Sequence, residues 1–359
     1  PAEPPAPVEA AEPAPAVPAP TRPAAAGFRN APDTDPGLAA NRAWGRGILS
    51  RVPTSELGLA SIRAAHVTDA AVLDAVIEGV AAAGAAWGRW SGAERAAVLH
   101  RAGERLAARR GELVEIMAHE AGKTIAESDP EVSEAIDFAH YYAERARDLD
   151  AVAGAVFVPS RVTVVTPPWN FPVAIPAGGV LAALAAGSGV VIKPAKLSQR
   201  CGAVMVEALW EAGVPRDLLA LVDVAERDLG TRLVSHPAVD RVILTGAYET
   251  AQLFRSFRPD LPLLAETSGK NAIVIAPSAD IDLAVADLVK SAFGHAGQKC
   301  SAASLAILVG PVGHSPRFAR QLVDAVTSLR VGPSSVPTSE IGPVIDIDWR
   351  MISPTMSGS

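Results

Sequence analysis

The sequence predicts an α/β fold, a doubly wound parallel sheet followed by part of a second α/β unit, on three observations. From residue 161 onward, short apolar runs alternate with helical segments, the pattern of a parallel sheet covered on both faces. The strands are short apolar runs, as strands buried on both sides are. Polar or reactive residues recur directly after the strands, where open sheets of this kind bind ligands.

The elements follow in order. Residues 69–148 are helical in pattern: Val72, Val76, Val80 and the run from Ala93 to Ala121 repeat at three-to-four spacing opposite Arg and Glu, with Gly122 and Pro130 as punctuation. Arg101, Arg105, Arg109 and Arg110 read as a solvated helix face. Strand 161–166 opens the sheet. An alanine-rich helix over 178–187 leads to strand 189–193, and helix 198–212 stops at Gly213 with Pro215 beyond. Strand 218–222, helix 226–235, strand 240–245, helix 248–257 and strand 263–265 come next. Strand 271–275, helix 280–294, strand 304–309 and helix 315–329 repeat the theme.

Of the 359 residues, 49% are apolar and 20% charged, ample for a large core in two or more domains. The formal net charge of -7, with both signs dispersed, excludes a basic nucleic-acid footprint. Two distant cysteines, Cys201 and Cys300, argue against a disulfide scaffold or a cysteine-rich metal site and for a reducing, cytoplasmic setting. The run from Gly178 to Gly189 is broken by glycines and a serine, so no membrane span is expected. There is no signal-peptide pattern. Residues 1–26 hold nine prolines among Ala and Glu and read as an extended, semi-rigid linker, which suggests a domain before it. The start at Pro1 implies a processed, excised or partial chain.

Five segments stand at strand or helix ends: Pro168-Trp169-Asn170-Phe171-Pro172, Ile192-Lys193-Pro194, Thr245-Gly246-Ala247, Glu266-Thr267-Ser268-Gly269-Lys270 and Gly297-Gln298-Lys299-Cys300. Taken singly they are weak. Trp169-Asn170 is as readily a rigid turn, Lys193-Pro194 a solvated strand end, and a lone Cys usually a small buried hydrophobe. That reading stays the better one for Cys201, in an apolar helix. His295 reads as a loop residue, because no second His or carboxylate has ligand spacing and no metal is expected. A GxGxxG fingerprint is absent.

Taken together, in this order and with Glu266 and Cys300 34 residues apart, the segments resemble the aldehyde dehydrogenase superfamily over roughly residues 45–345. Phe293 to Ser304 (FGHAGQKCSAAS), the segments FRNAPDTDP and NRAWGRG within 28–47, and the leading linker are most similar to Δ1-pyrroline-5-carboxylate (glutamate semialdehyde) dehydrogenases, in particular the dehydrogenase half of bifunctional proline-utilisation proteins. The resemblance implies a linker over 1–44, N-terminal helices and an NAD(P)-binding domain over 45–262, a partial catalytic domain over 263–345, and a tail over 346–359 outside the family pattern.

It also implies roles. Oxidising an aldehyde to an acid needs a nucleophile whose adduct can expel hydride, and Cys reaches the thiolate most readily. Cys300 takes that role, Glu266 is the base for thioester hydrolysis, and the Asn170 amide with the Cys300 backbone N–H receives the oxyanion. Trp169, Lys193, Pro194, Lys196, Thr245, Gly246 and Ala247 are the implied cofactor contacts, for NAD, with NADP allowed because Lys196 stands where many members carry a ribose-binding Glu. Ala247 and Ala251 replace a Ser and a Gly, so backbone N–H groups must hold the pyrophosphate. The implied partners are a small aldehyde, other copies in a homo-oligomer of the full-length parent, and a fused proline dehydrogenase domain. A second Glu of the family lies past residue 359, so little turnover is expected of the chain as it stands. The competing readings are a dehydrogenase for another semialdehyde and an inactive assembly fragment. A Cys–His hydrolase is not supported, since no orienting Asp or Asn accompanies His295.

Overall fold

The computed structural model describes residues 28–224 and 227–345. In chain order the elements are α1 Ala39–Arg51, α2 Leu59–Ala64, β1 His66–Val67, α3 Ala70–Trp87, α4 Gly92–Ala108, α5 Arg110–Glu120, α6 Ile125–Leu149, β2 Val162–Thr166, α7 Ala174–Ala185, β3 Gly189–Ile192, α8 Gln199–Glu211, β4 Leu219–Leu221 and β5 Asp223–Val224. Then come α9 Arg227–Ser235, β6 Arg241–Gly246, α10 Tyr248–Phe257, β7 Leu263–Thr267, β8 Asn271–Ile275, α11 Ile281–Phe293, β9 Ala303–Leu308 and α12 Pro316–Thr327. Side-chain caps start several helices: Asp69 for α3, a Ser91–Glu94 capping box for α4, Asp280 for α11 and Ser315 for α12.

The main sheet is wholly parallel, in the order β4-β3-β2-β6-β7. The chain enters at β2, winds outward through β3 and β4, then returns to the other side for β6 and β7, so the winding reverses between β2 and β6. On one face Val162, Val164 and Val191 pack with Leu73, Ile77 and Val80 of α3 and Leu229 and Leu233 of α9. On the other, Val165, Val190 and Ile192 meet α7 and α8, with α4, α5 and α6 beyond them. A second parallel pair, β8-β9, is covered on one face by α11 and α12. Val274, Leu305 and Ile307 are exposed apolar residues of that pair. Among the described residues α3 alone is long and apolar enough to cross a membrane, and its buried stripe lies against the main sheet.

Three sequence expectations are corrected. Pro130 does not end a helix but lies within α6, whose continuation is held by Val132, Ala135, Ile136, Ala139 and Ala143, all buried. Arg109 and Arg110 are mostly buried rather than solvated: Arg109 pairs with Glu112, Glu207 and Glu211, and Arg110 with Asp129. The stretch expected as linker through residue 44 is docked from residue 30, where Asn30 and Ala31 donate to Asp137 and Thr34 to Asp129, and α1 begins at Ala39. The proline-rich residues 1–26 and the tail from 346 lie outside the described residues.

Gly84 lets α3 lie directly on the sheet. A Cβ there would sit 2.1 Å from the Arg161 carbonyl oxygen and 2.7 Å from the Gly189 nitrogen, both backbone atoms that cannot swing aside. Gly84→Ala should gain about 1 kcal/mol of helix propensity and lose about 3 kcal/mol to overpacking. A net loss near 2 kcal/mol in the urea-unfolding free energy is expected, and a stabilised variant would contradict this packing.

Candidate active site

The segments following β2, β3 and β6, together with the carboxyl end of β7, open into one cleft of about 1040 Å³. It lies at the carboxyl edge of the main sheet, where the winding reverses, the usual ligand position in such folds. Trp169, Asn170, Lys193, Lys196, Thr245, Gly246, Ala247, Glu266 and Cys300 all line it. Pro194 does not. It is buried behind the wall, with its ring against Gly202.

Strand β6 ends in Thr245-Gly246, and α10 starts at Tyr248 with no side-chain cap among the described residues. Its unpaired N–H groups therefore form a partial positive end able to receive an anion such as a pyrophosphate. Burial holds the Lys193 ammonium pKa below its ordinary value; Asp223 opposes the shift and Lys196 adds to it. Lys196 is exposed at the rim, and Arg227 lines the same cleft.

The segment between α11 and β9 holds Cys300 in an unusual backbone. His295 (φ 51), Ala296 (φ 55) and Gly297 (φ 71) are successive left-handed residues. The first two are not glycine, so each costs roughly 1–2 kcal/mol. Groups from elsewhere in the chain hold the turn. Asn170 Nδ2 donates to Gln298 O at 2.7 Å, the Ile345 N–H donates to Gln298 Oε1 at 2.9 Å, and Lys299 pairs with Glu127 at 2.6 Å. Asn271 Nδ2 donates to Cys300 O at 2.6 Å. Cys300 itself is exposed to the cleft, whereas Cys201 is fully buried and its thiol pKa is pushed well up, chiefly by burial and also by Glu120.

Glu266 departs from expectation. The apolar run before it suggested a buried strand end, but the residue is exposed, as are Leu264, Ala265 and Thr267 of the same strand.

Sequence reasoning missed the groups beneath Asn170. Lys123 and Glu131, both fully buried, pair at 2.5 Å. Lys123 Nζ also donates to Asn170 O at 3.2 Å and lies 4.1 Å from the Phe171 ring centroid. Glu131 Oε1 accepts from the Val173 and Ala174 N–H groups at 2.7 and 3.0 Å. The only signal in the sequence was the four-residue spacing of Glu127 and Glu131, which puts both on one helical face.

Iodoacetamide should modify Cys300 at least about 100-fold faster than Cys201 in the folded chain; equal rates would contradict the burial of Cys201. His295 gives a pH prediction. It is buried, its Nε2 lacks a hydrogen-bond partner among the described residues, and burial, with Lys123 and Lys299, lowers its pKa from 6.5 to about 3. The folded state thus keeps the ring neutral while the unfolded chain protonates it below pH 6.5. Its contribution is complete above that pH and drains away as pH falls toward 3. Between pH 7 and pH 5 the loss should be about 2 kcal/mol in urea unfolding. His295→Asn, which tolerates the left-handed backbone, should flatten that slope; an unchanged slope would refute the assignment.

Comparison with known proteins fits the resemblance seen in the sequence. The profile of the aldehyde dehydrogenase family matches residues 48–350. The bifunctional protein PutA of Escherichia coli is 38% identical over 267 residues, which are 72% of this chain and 20% of that protein. The 1-pyrroline-5-carboxylate dehydrogenase 2 of Bacillus subtilis is 35% identical over 75% of this chain and 56% of its own length. The chain thus spans about a fifth to about half of these relatives. Among solved structures, proline utilization A from Corynebacterium freiburgense superposes with a TM-score of 0.80 at 49% identity, over 88% of this chain and 31% of that one. The 1-pyrroline-5-carboxylate dehydrogenase of Thermus thermophilus gives a TM-score of 0.80 at 29% identity, over 90% and 70% of the two chains. The chain belongs to the aldehyde dehydrogenase family.

Proposed function

We propose that the site serves NAD(P)-dependent oxidation of glutamate γ-semialdehyde, the open form of Δ1-pyrroline-5-carboxylate, to glutamate in proline catabolism. The observation that supports it is the convergence of Asn170, Glu266 and Cys300 on one cleft at the sheet's switch point. Relatives named for pyrroline-5-carboxylate support the substrate.

The Cys300 thiolate adds to the aldehyde carbon, forming a carbon–sulfur bond and a tetrahedral oxyanion. The Asn170 amide and the Cys300 backbone N–H stabilise that oxygen. A bound nicotinamide dinucleotide supplies the hydride acceptor. Lys193 and Lys196 would meet its adenosine ribose, the Gly246–Ala247 backbone and the first turn of α10 its diphosphate, and Trp169 would pack beside it. Collapse of the adduct leaves an acyl group on Cys300. Glu266 takes a proton from water, which attacks the thioester and returns the thiol. The exposure of Glu266 leaves that carboxylate open to water. Since Cys300 must stay reduced, we place the protein in the cytoplasm. The two-function relatives support fusion to a proline dehydrogenase domain in a longer, oligomeric parent.

Lys196 and Arg227 favour a second cofactor reading, since two cations on the cleft suit a ribose phosphate as well as a free hydroxyl. We therefore extend the proposal to NADP.

The test is absorbance of the reduced cofactor on mixing Δ1-pyrroline-5-carboxylate and NAD+ or NADP+ with the chain at high concentration, followed long enough that the slow turnover expected of it passes one equivalent. Reduction should be abolished in Cys300→Ser. In Glu266→Gln it should stop near one equivalent, because the thioester is no longer hydrolysed. Lys196→Glu should turn preference away from NADP+ by about 10-fold. A chain that reduces cofactor with succinate semialdehyde but not with pyrroline-5-carboxylate would overturn the substrate assignment.

A further inference from the structure

We propose that the buried Lys123–Glu131 ion pair is a positioning device for the oxyanion donor: it sets where Asn170 points, and so how fast Cys300 can be acylated. This rests on the reading of Asn170 as oxyanion donor given above.

The two residues come from one stretch of chain. Lys123 stands in the break between α5 and α6, where its backbone N–H donates to Met117 O at 3.2 Å, and Glu131 stands in α6. Their contacts bracket the loop that carries Asn170. At its start, Lys123 Nζ holds the Asn170 carbonyl and lies against the Phe171 ring. At its end, one oxygen of Glu131 takes the N–H groups of Val173 and Ala174, at the first turn of α7. The other oxygen of Glu131 takes the Lys123 ammonium, and both side chains are fully buried.

Two Lys123 and two Glu131 contacts thus fix the short span 170–174, leaving the Asn170 side chain as its free end. That side chain reaches the nucleophile turn by donating to Gln298 O. A chain of direct contacts runs from the ion pair, through Asn170, to the segment holding Cys300.

A buried ion pair is poor value for stability alone, since apolar residues of the same volume often serve as well. What it supplies here is direction. A charged donor and a charged acceptor hold three backbone atoms of one loop in fixed positions by hydrogen bonds, as an apolar contact cannot. Oxyanion stabilisation is the step most sensitive to such placement.

The test separates chemistry that makes an oxyanion from chemistry that does not. With p-nitrophenyl acetate, the Cys300 thiolate attacks the ester carbonyl. The tetrahedral oxyanion then expels p-nitrophenolate and leaves S-acetyl-Cys300. No cofactor is needed. With iodoacetamide, the same thiolate displaces iodide from a saturated carbon, and no oxyanion forms. Glu131→Gln and Lys123→Met should each slow p-nitrophenolate release by about 10- to 100-fold, while the iodoacetamide rate at Cys300 changes by less than about 2-fold. The double variant Lys123→Met/Glu131→Gln carries no unpaired buried charge. It should unfold thermally like the parent yet remain slow with the ester. Asn170→Ala should show the same ester defect, and adding Glu131→Gln to it should slow the reaction no further.

Parent-like acylation in Glu131→Gln and in the double variant would overturn the proposal. So would equal losses with both reagents, or multiplicative losses in Asn170→Ala/Glu131→Gln. If Asn170→Ala itself acylates at the parent rate, the donor reading of Asn170 fails and takes the proposal with it. A slow Asn170→Ala beside a normal Glu131→Gln defeats only the positioning role.

Discussion

Parallel pairing is the constraint from which the rest of the molecule follows. Five strands that all run one way must each be returned to their starting edge by a crossover, here mostly helical. The crossovers bury both faces of the sheet, which is why β2 has no exposed residue along its length. They also deliver every strand's carboxyl end to the same rim. Residues far apart in the chain, such as Asn170, Thr245 and Glu266, reach one cleft because direction is shared. The reversal of winding between β2 and β6 supplies the crevice itself.

Electrostatics divides that rim into two parts. Toward α9 and α10 the cleft is met by Lys193, Lys196, Arg227 and an uncapped helix start, all suited to a polyanion. Toward the nucleophile turn, the charges are paired: Lys123 with Glu131 and Lys299 with Glu127. His295, between two cations and denied solvent, stays neutral. Removing one partner from the fully buried pair would strand a charge at a cost on the order of 3–5 kcal/mol. This half of the site is rigid because its charges have nowhere else to go.

Much of this was legible in the sequence, for reasons that differ by residue. Strand β8 and helix α10 match the sequence expectation to the residue, the first as an apolar run between polar and turn residues, the second as a segment bounded by Gly246 and Pro259. Asn170, Glu266 and Cys300 could be singled out because each sits in a short motif at a strand or helix end. Pro130 was misleading, since the local cost of an imide in a helix is outweighed by the burial of α6 along most of its length. The exposure of Glu266 depends on what neighbours β7, which no local pattern carries. Lys123 and Glu131 were invisible for a similar reason. Charged residues in a helical stretch read as solvated until the fold closes over them. The left-handed turn at His295 and Ala296 had no glycine at either position to announce it.

The β8-β9 pair has a practical consequence. Its covered face packs on α11 and α12, while Val274, Leu305 and Ile307 stand in water. Environment-sensitive dyes such as ANS report accessible apolar surface, and bright ANS fluorescence is commonly taken as a sign of a molten state. This chain would light such a dye while its core is intact. A dye-based melting curve would begin from a high baseline and lose amplitude, so calorimetry or far-ultraviolet circular dichroism is the sounder gauge of its folding.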